Sequence, residues 1–570
     1  AVKESGVKVT KEAVLAARET SEKHIRVDSK TAQAMGDEIS RKAADAAAPI
    51  PKALAVRSKL NVDAALTARQ KAYSKLEQLG LSGVVSPEEG GQMRITIGVK
   101  PTQLGLHDAH QIETMRALFA QRKADPSKEC AGNVTQAQMQ ADPVLATECV
   151  VKVLQETGDY VYVEKDYIFS HQMLKKPKPK PGTAGVPNDP LFGLQWHFKA
   201  NGTAAGQSPG GASFADFWTR TKLMGSKTVT VAVIDTGLQM NHPDIKGSAN
   251  LAQGYDMVSD VMMGNDGDGR DADPNDPGDK CDPADPNTSD TFHGTHVAGT
   301  IGVASTNNAA GVAGGVWNVT IVPVRALGRC GGKLSDINDA IRWAAGSIPA
   351  RDAQGREVWN SHPADIINLS IGLFEPCPAS MQAAINDAVA DGAIVVAAAG
   401  NARVDAKYFA PGGCQNVISV AASDARGQLT PYSNFGANVS IMAPGGDMTR
   451  DDDKDGRPDG VLSTKFSKNC YDPAVPGTQV AQCYYAYENG TSMAAPHVSA
   501  ALALIKAKFP NAVPSDLRNR LMSSITPRTE LQCSGKCSNY PGTTPIPGSE
   551  GLCFRPCGGA MLNLANAPVQ

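Results

Sequence analysis

The chain has 570 residues, of which 41% are hydrophobic, 5% aromatic and 20% charged, with a formal net charge of −3. This composition excludes a wholly disordered chain, a collagen-like repeat and a nucleic-acid binder driven by overall positive charge. No apolar run reaches the roughly 18 residues that a membrane-spanning helix needs.

Residues 1–90 are rich in Ala, Lys, Glu and Gln and predict a helical N-terminal extension. Ala1 is followed by polar sequence rather than an apolar leader. Residues 91–172 predict a small α+β unit. Its strands are Met93–Lys100, Glu148–Gln155 and Tyr160–Phe169, and its helix spans His107–Lys123 with apolar positions at Ile112, Met115, Leu118 and Phe119. Residues 173–187 alternate Lys with Pro and then turn to Gly, which marks an extended linker open to proteolysis. The charge divides near this point. Residues 1–186 hold 27 Lys+Arg and 22 Asp+Glu, whereas the remainder holds 28 and 36. A basic front therefore precedes an acidic body, as two pieces that bind each other would have.

In residues 188–570, apolar strands alternate with helices. The strands are Val229–Ile234, Thr320–Val324, Ile366–Ile371, Ala393–Ala399, Val417–Ala421 and Val439–Met442. The helices are His296–Val303, Ser335–Ala345, Met381–Ala390, Ala494–Lys508 and Ser515–Ser523. Strands that are apolar on both faces predict an α/β fold, a parallel sheet covered by helices on both sides.

Three motifs fall within this body. VAVIDTG ends a strand at Asp235, HGTHVAGTIG opens a helix at His293, and NGTSMAAPHV places Ser492 at the start of a long apolar helix. Alone, each is ordinary, since Asp and Ser cap helices and turns. Together they supply what nucleophilic catalysis requires. A serine hydroxyl needs a base to take its proton, and the base needs an anion to fix its tautomer. Asn401, after the strand ending AAAG, offers an amide that with the Ser492 N–H can receive a developing oxyanion.

These motifs resemble those of the subtilisin-type serine proteases, and the likeness extends over residues 188–565. It implies a secreted endopeptidase, its signal segment already removed, acting as a monomer on protein or peptide substrates without nucleic acid or membrane span. Asp235, His293 and Ser492 would be the triad, and Asn401 the oxyanion residue. The substrate strand would lie between Ser370–Ile371–Gly372 and Gly331–Gly332, with Ala398–Ala399–Gly400 walling the primary pocket. The unit at 91–172 resembles a propeptide, which implies a partner within the same chain. That partner assists folding and lays its tail through the cleft, with self-cleavage between His171 and Val186. The segment after Asn401 would line the pocket. Asp405 is its one candidate acidic determinant, and a broad preference that tolerates bulky apolar side chains is expected. An inactive binding or adhesion module of the same fold would have lost a triad or oxyanion residue, and none is lost. An esterase would carry its nucleophile in G-x-S-x-G, not G-T-S-M-A.

Two acidic loops, 265–290 and 451–460, crowd carboxylates that repel one another, and Ca²⁺ is the natural compensating ion. Asp451, Asp453, Asp455 and Gly456 match positions 1, 3, 5 and 6 of an EF-hand-like loop. Asp459 stands at position 9, and Leu462 replaces the Glu of position 12. The family's use of structural calcium points the same way. Of the twelve cysteines, two lie in the front and ten in the body, as separate disulfide sets require. Near-neighbour pairing is the simplest arrangement: 130–149, 281–330, 377–414 and 470–483. The final CxxxC…CxxxC reads as disulfides or as a zinc site.

Overall fold

The computed structural model describes residues 187–568 apart from 286–287, 353, 474–478, 537–542 and 550. Before these it describes residues 151–152 and the strand backbones 24–29, 82–87, 92–98, 160–165 and 168–171. The chain divides into two units, the first ending at Ile168 and the second formed by Phe169–Gly332 and Asp336–Gln570.

In the first unit, four strands form one antiparallel sheet in the order Ser82–Pro87, Gln92–Gly98, His24–Ser29, Tyr160–Lys165. The helical reading of residues 1–90 therefore fails at 24–29 and 82–87. In HIRVDS, Ile25 and Val27 alternate with polar residues at strand period, a signal too short to stand out from its Ala- and Lys-rich surroundings. Ser82–Pro87 and Gln92–Gly98 pair antiparallel, Ser82 opposite Gly98 and Pro87 opposite Met93. Val151 and Lys152 are helical, against the strand expected over Glu148–Gln155. The expected helix His107–Lys123 and the linker 173–186 lie outside the described residues.

The second unit is built on a nine-stranded sheet. Its order is Ile525–Pro527, Ala560–Leu562, Val439–Pro444, Val417–Ser423, Ile394–Ala398, Ile366–Leu369, Gly225–Asp235, Asn318–Arg325, Tyr255–Asp256. All neighbours are parallel except the outermost pair, Ile525–Pro527 with Ala560–Leu562. The inner strands are buried on both faces, which is why they read as unbroken apolar runs. The helix Thr491–Lys508 is apolar on every side and buried from Thr491 to Ile505, as a helix must be when it crosses the core of a large domain. The strand order reverses about Gly225–Asp235: the later strands Asn318–Arg325 and Tyr255–Asp256 lie on one side, and Ile366–Leu369 and the strands after it on the other. Sites of open α/β sheets form outside the carboxyl ends of strands at such a reversal.

Disulfides join Cys281 to Cys330, Cys377 to Cys414 and Cys533 to Cys557. Closing loops with separations of 49, 37 and 24 residues contributes about 3.5–4 kcal/mol each by chain entropy. The first two are the expected near-neighbour pairs. The Cys533–Cys557 bond overturns a zinc reading of the final four cysteines. Cys483 and Cys553 are also disulfide-bonded.

Candidate active site

Asp235 is the last residue of its strand and His293 the first of the helix His293–Ile301. Both are fully buried, with His293 Nδ1 2.8 Å from Asp235 Oδ1 and 3.0 Å from Oδ2. The Thr236 N–H donates to Asp235 Oδ1 at 2.8 Å, which holds the carboxylate plane. The Thr236 hydroxyl accepts the Gly294 N–H at 3.0 Å and donates to Asp276 Oδ2 at 2.6 Å. It thereby ties the strand end to the histidine helix and to the acidic loop. Burial, with Asp279 nearby, pushes Asp276 up to about 8.

Ser492 is the second residue of its helix, where first-turn N–H groups point out of the helix end and the dipole is positive. Pro496 sits four residues on and has no N–H, so the Ser492 carbonyl lacks its helical donor. Ser370 supplies one: its Oγ donates to that carbonyl at 2.8 Å, while the Ser492 Oγ donates to the Ser370 carbonyl at 2.9 Å. The expected strand Ile366–Ile371 is accordingly broken at Ser370 into Ile366–Leu369 and Ile371–Gly372. Asn368 Nδ2 donates to Ser370 Oγ at 2.9 Å and Asn368 Oδ1 accepts from Ser499 at 2.8 Å, so the reciprocal pair is held from beneath.

Asn401 is oriented by its carbonyl end. Its Oδ1 accepts the Thr491 N–H and the Thr491 hydroxyl, both at 2.9 Å, and a planar amide fixed at the oxygen directs its NH₂ to the opposite side. The Thr491 hydroxyl also accepts the buried Gly400 N–H at 3.0 Å. Asn434, fully buried, donates to the Ala399 carbonyl at 2.7 Å and accepts N–H groups from Ala402 and Val404. Thr491 and Asn434 carry no motif of their own, so sequence reasoning passed over both.

Strand Ile168–His171 pairs antiparallel with Ile371–Gly372, His171 opposite Ile371 and Ser170 opposite Gly372. In the same three-stranded sheet, its other neighbour is the short strand that begins at Gly332. Gly331 closes a turn onto Gly328. Ala398, Ala399 and Gly400 are buried where the strand Ile394–Ala398 runs out towards Asn401. Asp405, the acidic candidate for the pocket, is engaged within its own turn. Its carboxylate caps a 3₁₀ turn through the Lys407 N–H at 3.0 Å and faces the Lys407 ammonium.

The two acidic loops differ. In 265–290, the buried guanidinium of Arg325 binds Asp256, Asp266 and the Gly264 carbonyl. Arg270 bridges Asp336 and Asp339 at 2.8 Å each. The compensation anticipated from an ion is thus provided in part by arginine. In the second loop, single carboxylate oxygens of Asp451, Asp453 and Asp455 lie within 4.8 Å of one another. Asp455 is pushed up to about 6 by burial and by Asp453. Asp459 stands apart from this trio: its Oδ2 accepts the Asp452 N–H at 2.6 Å, and burial pushes it up to about 7. Two further buried carboxylates escaped the sequence reading. Asp189 accepts N–H groups of Asn307 and Asn308, and Asp244 that of Val312.

A buried Asp–His pair and a helix-start serine thus lie on one α/β scaffold built on a mostly parallel sheet. The subtilase family profile matches residues 226–539, and the chain belongs to that family. It is similar to the "Extracellular protease" of Xanthomonas campestris pv. campestris, 40% identical over 361 residues, covering 62% of this chain and 55% of the relative. It also resembles the "Extracellular basic protease" of Dichelobacter nodosus, 34% identical and covering 62% and 53%. The chain thus spans about half the length of these two relatives. Among solved structures, proteases from Pseudoalteromonas arctica share 41% identity with a TM-score of 0.51, over 60% of this chain and 93% of theirs. Among the described residues, no helix is long and apolar enough to cross a membrane.

Proposed function

We propose that the chain is a secreted serine endopeptidase made as a self-processing zymogen. The observations that carry this reading are the buried Asp235–His293 pair and a helix-start Ser492, preceded by Thr491, which fixes Asn401 by its carbonyl end. His293 takes the Ser492 proton as the hydroxyl attacks the scissile carbonyl, and Asp235 holds the Nδ1–H tautomer and stabilises the imidazolium. The Asn401 amide and the Ser492 N–H receive the oxyanion. His293 then protonates the leaving amine, and water repeats the sequence on the acyl-enzyme. Substrate binds as an added strand along Ile371–Gly372. Strand Ile168–His171, paired there, supports the small unit's role as propeptide, with processing between His171 and Val186. Asp451, Asp453 and Asp455 suit a hard cation, because three carboxylates converge within 4.8 Å of one another and burial pushes Asp455 up. Ca²⁺ held there would stabilise the loop and take no part in the chemistry. The test is Ser492→Ala. The variant should lose casein hydrolysis and covalent labelling by a fluorophosphonate, and should keep its front joined on a denaturing gel. A variant that still hydrolysed casein or matured in pure form would refute the reading.

A further inference from the structure

We infer that Phe409 sets the primary specificity: its ring fills the slot that receives the side chain at the scissile bond, so the enzyme cuts after small residues. This rests on the proteolytic reading above. The acyl carbonyl must lie between Ser492 Oγ and the Asn401 amide, with its strand along Ile371–Gly372. The side chain of that residue then enters the gap between Gly372 and the segment Ala398–Gly400. Phe409 already occupies this gap. A β-carbon built on Gly372 would overlap its Cε1 and Cζ, and one built on Gly400 would stand 2.6 Å from Cδ1 and 2.7 Å from Cε1. The ring therefore touches both glycine walls, and it is only 2% exposed. Both walls need glycine for this contact, Gly400 also because its φ is +99°.

The ring is held in place. The Ala410 N–H donates to the Leu373 and Glu375 carbonyls at 3.0 Å each, and the Leu373 N–H returns to the Ala410 carbonyl at 2.9 Å. The Gly413 N–H donates to the Phe409 carbonyl at 2.7 Å, and Cys377–Cys414 joins the two segments just beyond. A rigid aromatic plug between two rigid walls leaves room for Gly, Ala or Ser and excludes Leu or Phe. This reverses the broad, bulky preference expected from sequence. The chain continues after His171 into Gln172, a longer residue, but a tethered strand reaches the cleft at an effective concentration that free substrate lacks. Its side chain is therefore no guide to preference.

The test is a panel of peptide anilides identical except for Ala, Leu or Phe before the anilide. The mature wild-type enzyme should show kcat/KM at least about 10-fold higher for Ala than for Leu or Phe, within the range that steric exclusion in an apolar pocket supplies. Phe409→Gly should raise the ratio of kcat/KM for the Phe substrate over that for the Ala substrate at least about 10-fold. Phe409→Leu, a smaller disturbance to the core, should fall between. A wild-type enzyme that cleaves the Phe or Leu substrate as well as the Ala substrate overturns the proposal without any variant. So does an unchanged preference in a folded Phe409→Leu or Phe409→Gly enzyme. Fluorophosphonate labelling of Ser492 separates the two failures: a labelled enzyme with the wrong preference refutes only the plug, and an unlabelled, inactive one refutes the protease reading.

Discussion

Thr491 precedes the proposed nucleophile, and its hydroxyl lies between Asn401 and Gly400. Replacing it by valine keeps the volume and removes two hydrogen bonds, the donation to Asn401 Oδ1 at 2.9 Å and the acceptance of the Gly400 N–H at 3.0 Å. The Gly400 N–H is buried, and stranding such a donor costs about 1–3 kcal/mol. For a body of about 380 residues, an unfolding entropy near 2.1 cal/mol/K per residue converts this to a Tm lower by roughly 1.5–4 °C. Asn401 still accepts the Thr491 N–H, so its amide tilts rather than detaches. Thr491→Val should therefore lower kcat about 10-fold with KM nearly constant. Asn401→Ala, which deletes the oxyanion donor, should lower kcat about 100–1000-fold, or ~2.7–4 kcal/mol. The decisive assay is the double-mutant cycle. If Thr491 acts through Asn401, Thr491→Val in the Asn401→Ala background should change kcat by less than about 2-fold. A second 10-fold loss in that background would refute the positioning role, and a loss confined to KM would refute the oxyanion role. Thermal melts need sulfonyl-fluoride-inactivated protein, so that autolysis does not mask the shift.

Ser370→Ala should destabilise by about 1–3 kcal/mol, because it leaves the buried Ser492 carbonyl without its donor; in a Pro496→Ala background, where a helical N–H returns, most of that loss should vanish in urea titrations. His497 is held down at about 4 by burial, and its Nε2 lies 2.8 Å from His197 Nδ1. Between about pH 6.5 and 4 the unfolded chain binds a proton that the folded one refuses, so stability should fall as pH falls, by up to about 1.4 kcal/mol per pH unit for this residue. His497→Asn should flatten that slope, and an unchanged slope would show that the histidine titrates elsewhere. Asp276 has the opposite sign. Raised to about 8, it contributes stability that is full below the ordinary carboxylate range and is lost as pH rises through 8, so Asp276→Asn should flatten the alkaline limb of the same titration. EDTA should lower Tm while leaving kcat of the surviving enzyme nearly unchanged, and Asp453→Asn should abolish most of that shift; a melt indifferent to EDTA would remove calcium from the account.

Much of this architecture is written in local patterns, and the exceptions share a cause. The expected strand Val229–Ile234 lies inside the observed Gly225–Asp235, and Ala494–Lys508 inside Thr491–Lys508, because burial on all sides leaves a signal that needs no partner to be read. The motif residues Asp235, His293 and Ser492 are legible because each sits at or next to the end of such an element. What escapes is decided between segments far apart in sequence. Ser370 looks like the interior of a strand until Pro496, 126 residues on, leaves a carbonyl for it to serve. Phe409 looks like one aromatic in the loop ARVDAKYFAPGG until Gly372 and Gly400 are brought to either side of its ring.

The acidic loops make the same point through charge. Crowded carboxylates do demand compensation, but sequence cannot say where the compensating group comes from. For 265–290 it comes partly from Arg325, which ends a sheet strand in register with Asp235 and is buried against Asp256 and Asp266. The deeper members of that loop are met by polar groups, Asp276 by Thr236 and the Gly278 N–H and Asp279 by the Thr291 N–H. In 451–459, Arg450 and Arg426 face Asp452 and Arg457 pairs with Asp455. Three carboxylates still converge at Asp451, Asp453 and Asp455. That difference is why the calcium expectation narrows to the second loop. The first loop is instead tied to the Asp235–His293 pair, joined through Thr236 to the strand end that carries Asp235 and through Cys281–Cys330 to the turn that precedes Gly332.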